Sequence, residues 1–460
     1  MNYKKITGLM LLFLVSLSFI ACDDASTTGD IDFGLDNPTV NKYTFTKHDN
    51  DTMPIGAWSE PPYGNFAGVY DNPDLITNEQ WEMISESGIN VMYGLYNNAA
   101  INMNAALDSL DYAAANNVLY LVRDHQVSGA TEPGDLDLLQ DALSAYNDHA
   151  AFGGSMIVDE PGTRSYLGLA GLHDNYKQID DDATFYINML PDYANTNQLV
   201  NGAAGGPYED DSITYERYMR EYIELVEPDF YSFDYYPFSG LDFGQLRGGY
   251  FAQLSQVQRI TAEYGLPFWV FIQASSWSPD NLRVPTREEV HWNVTTSLAY
   301  GAKAIQYFMY YTSMEGGHET FVGGMVDSEG NKNPMYDYVK EANNHIAMID
   351  EILLNSEHMG IIVNGESPEE IPESDQLDSF SVLNDVSGDD VIIGAFNYGG
   401  RPVLYVVNND LSAEEATVTL SFDAELSFNI YDFEGQSNAS GDSLMLEIPQ
   451  GQAMLIDIYA

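Results

Sequence analysis

From residue 51 onward the apolar positions follow a coarse rhythm: short runs suited to buried strands, each followed by a longer segment of helical spacing. The runs begin near Ile55, Ile89, Leu119, Ser155, Phe185, Phe230, Phe268 and Ala304, spaced 30 to 45 residues apart. Eight such strand-plus-helix units in unbroken succession predict a closed parallel (β/α)8 TIM barrel over residues 51–355. Helix starts are written locally. Thr77 to Gln80 and Thr286 to Glu289 both read as capping boxes, and a helix is expected over 105–116 with Leu107, Leu110 and Ala114 inward. A last barrel helix is expected over 335–353. An open doubly wound sheet is the rival fold, but no glycine-rich phosphate loop supports it.

Past Asn355 the texture changes. Residues 366–375 are rich in Pro, Glu and Ser, and 356–380 read as a connector. Strand-like runs then appear at 391–393, 403–407, 416–422, 426–431, 444–448 and 454–458, separated by turn signals such as Gly399-Gly400 and Asn408-Asn409. A small C-terminal antiparallel β-sandwich over 381–460 is the expectation.

The N-terminus reads differently again. Lys4 and Lys5 precede an apolar run over 9–21, which is too short for a convincing span and has the form of a secretory signal, residues 1–21. Ser18-Phe19-Ile20-Ala21-Cys22 resembles a bacterial lipobox, with Cys22 as the acylated residue, although Phe19 stands where Leu is usual. Residues 22–50 then read as a polar, lipid-anchored linker. That reading implies export to the cell envelope, at the outer membrane or cell surface, with membrane contact only through the anchor. Simple secretion is the alternative. Cys22 is the only cysteine in the 460 residues, so neither an internal disulfide nor a multi-thiolate metal site can form.

Charge narrows the partners. With 17 Lys and Arg against 70 Asp and Glu, the formal charge is −53, which repels phosphate backbones and excludes nucleic acid. No histidine spacing suits a metal, and no loop suits a nucleotide, so no metal and no cofactor are expected. Oligomeric state is not legible.

A parallel barrel carries its working groups at the C-terminal ends of its strands. The fourth run, Ser155-Met156-Ile157-Val158, ends on Asp159-Glu160-Pro161, where paired acids cost desolvation and repel one another. Such crowding raises a carboxyl pKa, as a general acid requires. The Glu-Pro ending resembles the acid/base motif of the clan A glycoside hydrolases, in which Asn usually precedes Glu. The sixth run, Phe230 to Asp234 followed by Tyr235-Tyr236-Pro237, is similar to the strand-six segment of several members of that clan. The resemblance implies a glycosidase acting on a poly- or oligosaccharide. Glu160 would be proton donor, Asp234 the first choice for a second carboxylate, and Glu60 the next. Asp159, Trp58, Arg123, Tyr235, Gln273 and Tyr310 would be substrate contacts, with Tyr236 an alternative to Tyr235.

One departure stands out. Clan A retaining enzymes carry a nucleophilic Glu at the end of strand seven, where this chain has Gln273, and an amide cannot form a glycosyl ester. Inversion through water is then the default. Asp124, Glu315 and Glu319 are other strand-end acids. Chitinase-like barrels, which use an Asp two residues before the acid, are a weaker match because Val158 holds that place and adjacent strand residues point to opposite faces. The alternative of another class is a non-catalytic, lipid-anchored glycan-binding protein with a degenerate barrel site.

Overall fold

The computed structural model describes residues 31–45, 48, 51–64, 73–240, 245–278, 281–313 and 320–460. The signal segment, Cys22, Glu315, His318 and Glu319 lie outside the described residues. Eight parallel strands close a barrel: β1 (Ile55–Trp58), β2 (Val91–Tyr93), β3 (Leu119–Arg123), β4 (Phe152–Asp159), β5 (Thr184–Met189), β6 (Tyr231–Asp234), β7 (Phe268–Gln273) and β8 (Ala304–Phe308). Closure is made by β1, which pairs with β2 on one side (Gly56 opposite Val91) and with β8 on the other (Ile55 opposite Ile305). Each strand begins within three residues of its predicted apolar run.

Strand alternation sorts the side chains into two layers. Val91, Tyr93, Leu121, Met156, Tyr186, Trp269 and Phe271 fill the barrel, while Met92, Tyr120, Val122, Ile187, Val270 and Ile305 meet the helices outside. Gly56 permits this packing, since a β-carbon there would fall 2.3 Å from the Tyr93 hydroxyl. Local signals placed the helices well. Thr77 accepts from the Gln80 amide, Thr286 and Glu289 form a reciprocal capping box, and helix Met103–Ala115 turns Asp108 and Asp111 to solvent.

Part of the expected linker is packed. Ile31, Phe33 and Leu35 lie against the C-terminal sheet, and Asn397 donates to the Asp36 carbonyl at 2.8 Å. Tyr43 and Phe45 then close the floor of the barrel. The Tyr43 ring sits 4.9 Å from Phe230 and 5.7 Å from Trp269, and its hydroxyl bonds Thr184 at 2.7 Å. Burying such rings stabilises by about 1.5–3 kcal/mol each, more than a polar tether needs. The signal was an apolar residue at every second position within a polar stretch.

The C-terminal unit is antiparallel, as expected, and begins earlier than expected. β9 (Glu357–Asn364) follows the last barrel helix, Pro334–Leu354, and lies inside the predicted connector. The rest are β10 (Leu383–Gly388), β11 (Val391–Tyr398), β12 (Arg401–Asn408), β13 (Glu415–Tyr431), β14 (Gln436–Pro449) and β15 (Ala453–Tyr459), in the sheet order β9-β11-β12-β15-β13-β10 with β14 on β13. The two runs at 416–422 and 426–431 are one long strand, β13, irregular between Ser421 and Leu426. One sheet face packs on the barrel through Ile392, Phe396, Tyr405 and Val407. Helix Arg287–Ala299 is caught between β7 and this sheet, and Trp292 donates to Asn409 at 3.1 Å. That position accounts for a helix buried on every side.

Candidate active site

The open end of the barrel gathers acids from β4 and β6, and their geometry starts from two local irregularities. A register shift between Met156 and Val158 against β5 leaves Ile157 bulged, and Asp159 then pairs with Asn188. One residue on, Glu160 adopts a left-handed backbone with φ of 47°. Its amide donates to the Asn188 carbonyl at 2.8 Å, and its carbonyl accepts from Ala203 at 3.1 Å. Gly162 lets the loop close on the next segment, because a β-carbon there would stand 2.4 Å from the Gly202 nitrogen. Bulge and turn together overcome the alternation that would send neighbouring side chains apart, so Asp159 and Glu160 both reach Asp234.

Asn188, at the end of β5, ties the aspartates together. Its Nδ2 donates to Asp159 Oδ1 at 3.2 Å and to Asp234 Oδ1 at 3.1 Å. Its Oδ1 accepts from Ser232 Oγ at 3.1 Å. Glu160 completes the group with a side-chain hydrogen bond to Asp234. Burial, reinforced by the negative charge of Asp159, pushes the Asp234 carboxyl up to about 8. Asp159 retains solvent exposure as a residue, and desolvation by the groups packed around its carboxyl pushes it up to about 6 against the opposing pull of Asn188 and Arg123.

The wall above is aromatic. Tyr236 lies within the field of all three acids; burial and their charges, with Asp234 foremost, push its phenol well above its usual range, so it keeps its proton. Its ring centroid is 5.3 Å from Phe308, Phe308 is 5.7 Å from Phe321, and Phe321 lies parallel to Trp277 at 6.4 Å. The last three rings are partly exposed. They belong to β8 and to a short two-stranded antiparallel sheet, Ser276–Ser278 with Thr320–Val322.

Several predicted site residues do other work. Glu60 is sealed from solvent, accepting from the backbone amides of Leu95 and Asn97, both at 2.7 Å, and from Tyr120 at 3.3 Å. Desolvation holds its carboxyl up at about 8. It braces the loop after β2 and does not join the acid cluster. Glu60→Gln is therefore expected to cost about 1–3 kcal/mol in urea unfolding, because one backbone donor would face an amide NH2, and to leave turnover per folded molecule unaltered. Tyr235 points the other way from Asp234 and Tyr236, donating to the Gly248 carbonyl at 2.7 Å. Tyr310 is buried against Gln80, bonding its carbonyl at 3.3 Å and its side chain at 3.1 Å. Asp124 caps a short helix and accepts from Tyr146 at 2.9 Å.

Gln273 is likewise occupied by backbone partners. Its Oε1 accepts from the Phe238 amide at 2.8 Å, and its Nε2 donates to the carbonyls of Phe238 at 3.0 Å and Arg283 at 2.8 Å. It fastens the loops after β6 and β7, a task that needs donors and acceptor on one side chain. Trp58 sits in the upper barrel layer, edge-on to Phe271, and is 8% exposed. Arg123 is partly exposed, donates to the Ile157 carbonyl at 3.1 Å and feels the charge of Asp159. Asn188 was missed, although it ends the fifth apolar run, where the strand-end rule would have found it. Among the described residues no cluster of three or more His, Cys, Asp or Glu could hold a metal ion.

A closed parallel barrel with acids at its C-terminal mouth and an antiparallel sheet behind it is the architecture of the TIM-barrel glycoside hydrolases. The family model described as beta-galactosidase, glycoside hydrolase 42, matches residues 193–349, which hold Asp234, Tyr236 and Gln273 but not Glu160. No curated protein matches the chain. Among solved structures, a β-galactosidase from Bacillus circulans sp. alkalophilus is similar at a TM-score of 0.58 and 11% identity, covering 89% of this chain and 99% of its own. A β-galactosidase from Rahnella sp. R3 aligns at 0.53 and 10%, covering 90% and 99%. A family 5 glycoside hydrolase from Bacteroides vulgatus gives 0.51 and 10%, covering 88% and 89%. These likenesses establish the fold, and with the family match they support a glycosidase.

Proposed function

We propose that this protein hydrolyses O-glycosidic bonds of an oligo- or polysaccharide, with β-galactosides the first substrates to try, and with Glu160 as proton donor. The observation that carries this reading is the hydrogen-bonded group of Glu160, Asp234 and Asp159 at the mouth of the barrel. A carboxyl that keeps its proton near neutrality can deliver it to a leaving glycosidic oxygen. The neighbouring rings give a sugar an apolar wall to lie against.

The second carboxylate is not arranged as in a standard pair. Glu160 and Asp234 are in direct hydrogen bond, closer than the roughly 5–5.5 Å of retaining enzymes or 6.5–9.5 Å of inverting ones. Asp234 therefore serves as Glu160's partner, and Asp159, anionic beside Arg123, is the group left to activate a water. Exported, lipid-anchored placement through Cys22 is part of the same proposal and rests on the sequence alone.

A glycan-binding protein without catalysis is the second reading, favoured by Gln273 in the nucleophile's usual place. Release of reducing ends from a panel of galactosides and envelope-type polysaccharides separates the two. Hydrolysis that disappears in Glu160→Gln supports the enzyme. Retention of glycan with no product, or full activity in Glu160→Gln, overturns it.

A further inference from the structure

Beneath the acids a column of polar side chains runs down inside the barrel, and nothing in the proton-donor reading requires it. Tyr93 and Tyr186 each place a hydroxyl 2.6 Å from Gln306 Oε1. Gln306 Nε2 donates to Ser232 Oγ at 3.0 Å, and Ser232 Oγ donates to Asn188 Oδ1 at 3.1 Å. Asn188 Nδ2 ends the column on the two aspartates. All five side chains are buried.

The bond directions follow from which groups are the stronger donors and acceptors. Both phenols keep their protons, burial pushing each well above its ordinary range, so both donate and Gln306 Oε1 must accept. That turns the Gln306 NH2 toward Ser232 and fills a lone pair of its oxygen; Ser232 Oγ also lies 3.1 Å from the Tyr186 hydroxyl, and its proton goes to Asn188 Oδ1, the stronger acceptor of the two. The Asn188 NH2 is thereby aimed at the acids. The reverse orientation would set an amide oxygen against two carboxylates.

From this we infer that Asn188, oriented by Ser232 and Gln306, is a positioning residue that makes acceptors of Asp159 and Asp234 at the oxygens it faces and so confines the cluster's proton to the Glu160–Asp234 hydrogen bond. Two carboxyls bond each other only when one is protonated. Burial pushes Asp159 up only to about 6, opposed by Asn188 and by Arg123 on its β3 side, so it is anionic at neutral pH. The other ionisable groups facing the cluster are Tyr186 from β5, Tyr231 and Tyr236 from β6, and Tyr218 from helix Tyr215–Val226. All are phenols pushed upward by burial, and none competes for the proton. In turnover the proton passes from Glu160 to the leaving oxygen as its bond to the anomeric carbon breaks. The water that attacks that carbon supplies a proton in return.

The inference deepens the glycosidase reading, and its first test needs no substrate. Infrared difference titration of the intact protein should show two buried carboxyls losing their protons near or above neutral pH, Glu60 and the cluster's own, and in a Glu60→Gln background the one remaining band should disappear on Asp234→Asn. Asn188→Ala removes donation to the anions and Ser232→Ala removes the hydroxyl that orients Asn188, so the midpoint should rise in both, by roughly one pH unit or more in Asn188→Ala and by less in Ser232→Ala, and Ser232→Thr should restore it. Where glycan hydrolysis is measurable, the alkaline limb of kcat/KM should move in the same direction by the same amount. Ser232→Ala is the milder change should Asn188→Ala unfold, with thermal unfolding as the check. A shifted infrared midpoint without any glycan cleavage would sustain the proton placement and defeat the glycosidase reading. Midpoints unmoved in folded Ser232→Ala and Asn188→Ala would overturn the inference.

Discussion

Glu160→Gln should lower the rate of glycan hydrolysis by about 10²- to 10⁴-fold, the usual contribution of a positioned general acid, while altering unfolding stability by no more than about 1 kcal/mol. The amide fits the space and can still donate to Asp234, so the hydrogen bond seen between these side chains survives. Only the transferable proton is lost. Initial rates on the best glycan, with urea unfolding alongside, distinguish this from collapse of the mouth. Activity should also fall as pH rises above neutrality, since burial and the charge of Asp159 push the Asp234 carboxyl up to about 8 and the protonated Glu160–Asp234 pair is the competent form. A drop in rate matched by a large drop in stability would instead mark Glu160 as a brace for the turn at Pro161.

Gln273→Glu should cost about 3–5 kcal/mol of stability and should create no activity. It tests whether the place of the missing nucleophile could be refilled. Gln273 is 1% exposed, and two of its bonds are donated to the carbonyls of Phe238 and Arg283. A carboxylate would confront both carbonyls with negative charge in a place closed to water, and a protonated acid could satisfy one at most. The loops after β6 and β7 would separate. Urea unfolding reads the loss. A stable Gln273→Glu protein with increased hydrolysis would show that the staple is dispensable and that strand seven still points into a working site.

The barrel was legible because its signal is repeated eight times and each strand is buried on both faces. The rhythm of apolar runs therefore located β1 to β8 within three residues. Caps at Thr77 and Thr286 are local chemistry and read off directly. The packed stretch over 31–45 was obscured by its polar composition, though Ile31, Phe33 and Leu35 alternate as an edge-packed chain should. In the site, Glu160, Asp159 and Asp234 were visible as acids ending apolar runs. Their convergence was not, because it depends on a bulge at Ile157 and a left-handed turn at Glu160 that the residue types do not announce. Strand-end position alone also overcounted. Glu60, Gln273, Tyr310 and Tyr235 occupy the right level of the barrel, but their polar atoms are spent on backbone and neighbouring side chains. Position along a strand says where a side chain begins; only the partners around its tip decide whether it is available to a substrate.

The most direct test of Glu160 as proton donor compares leaving groups. Aryl galactosides or other aryl glycosides whose phenol leaves readily need little protonation, whereas alkyl or sugar leaving groups need it fully. With Glu160→Ala, kcat/KM should fall by orders of magnitude for the poor leaving groups and only slightly for the most acidic phenol. Equal losses across the series, or no loss at all, would contradict the assignment and place the acid elsewhere.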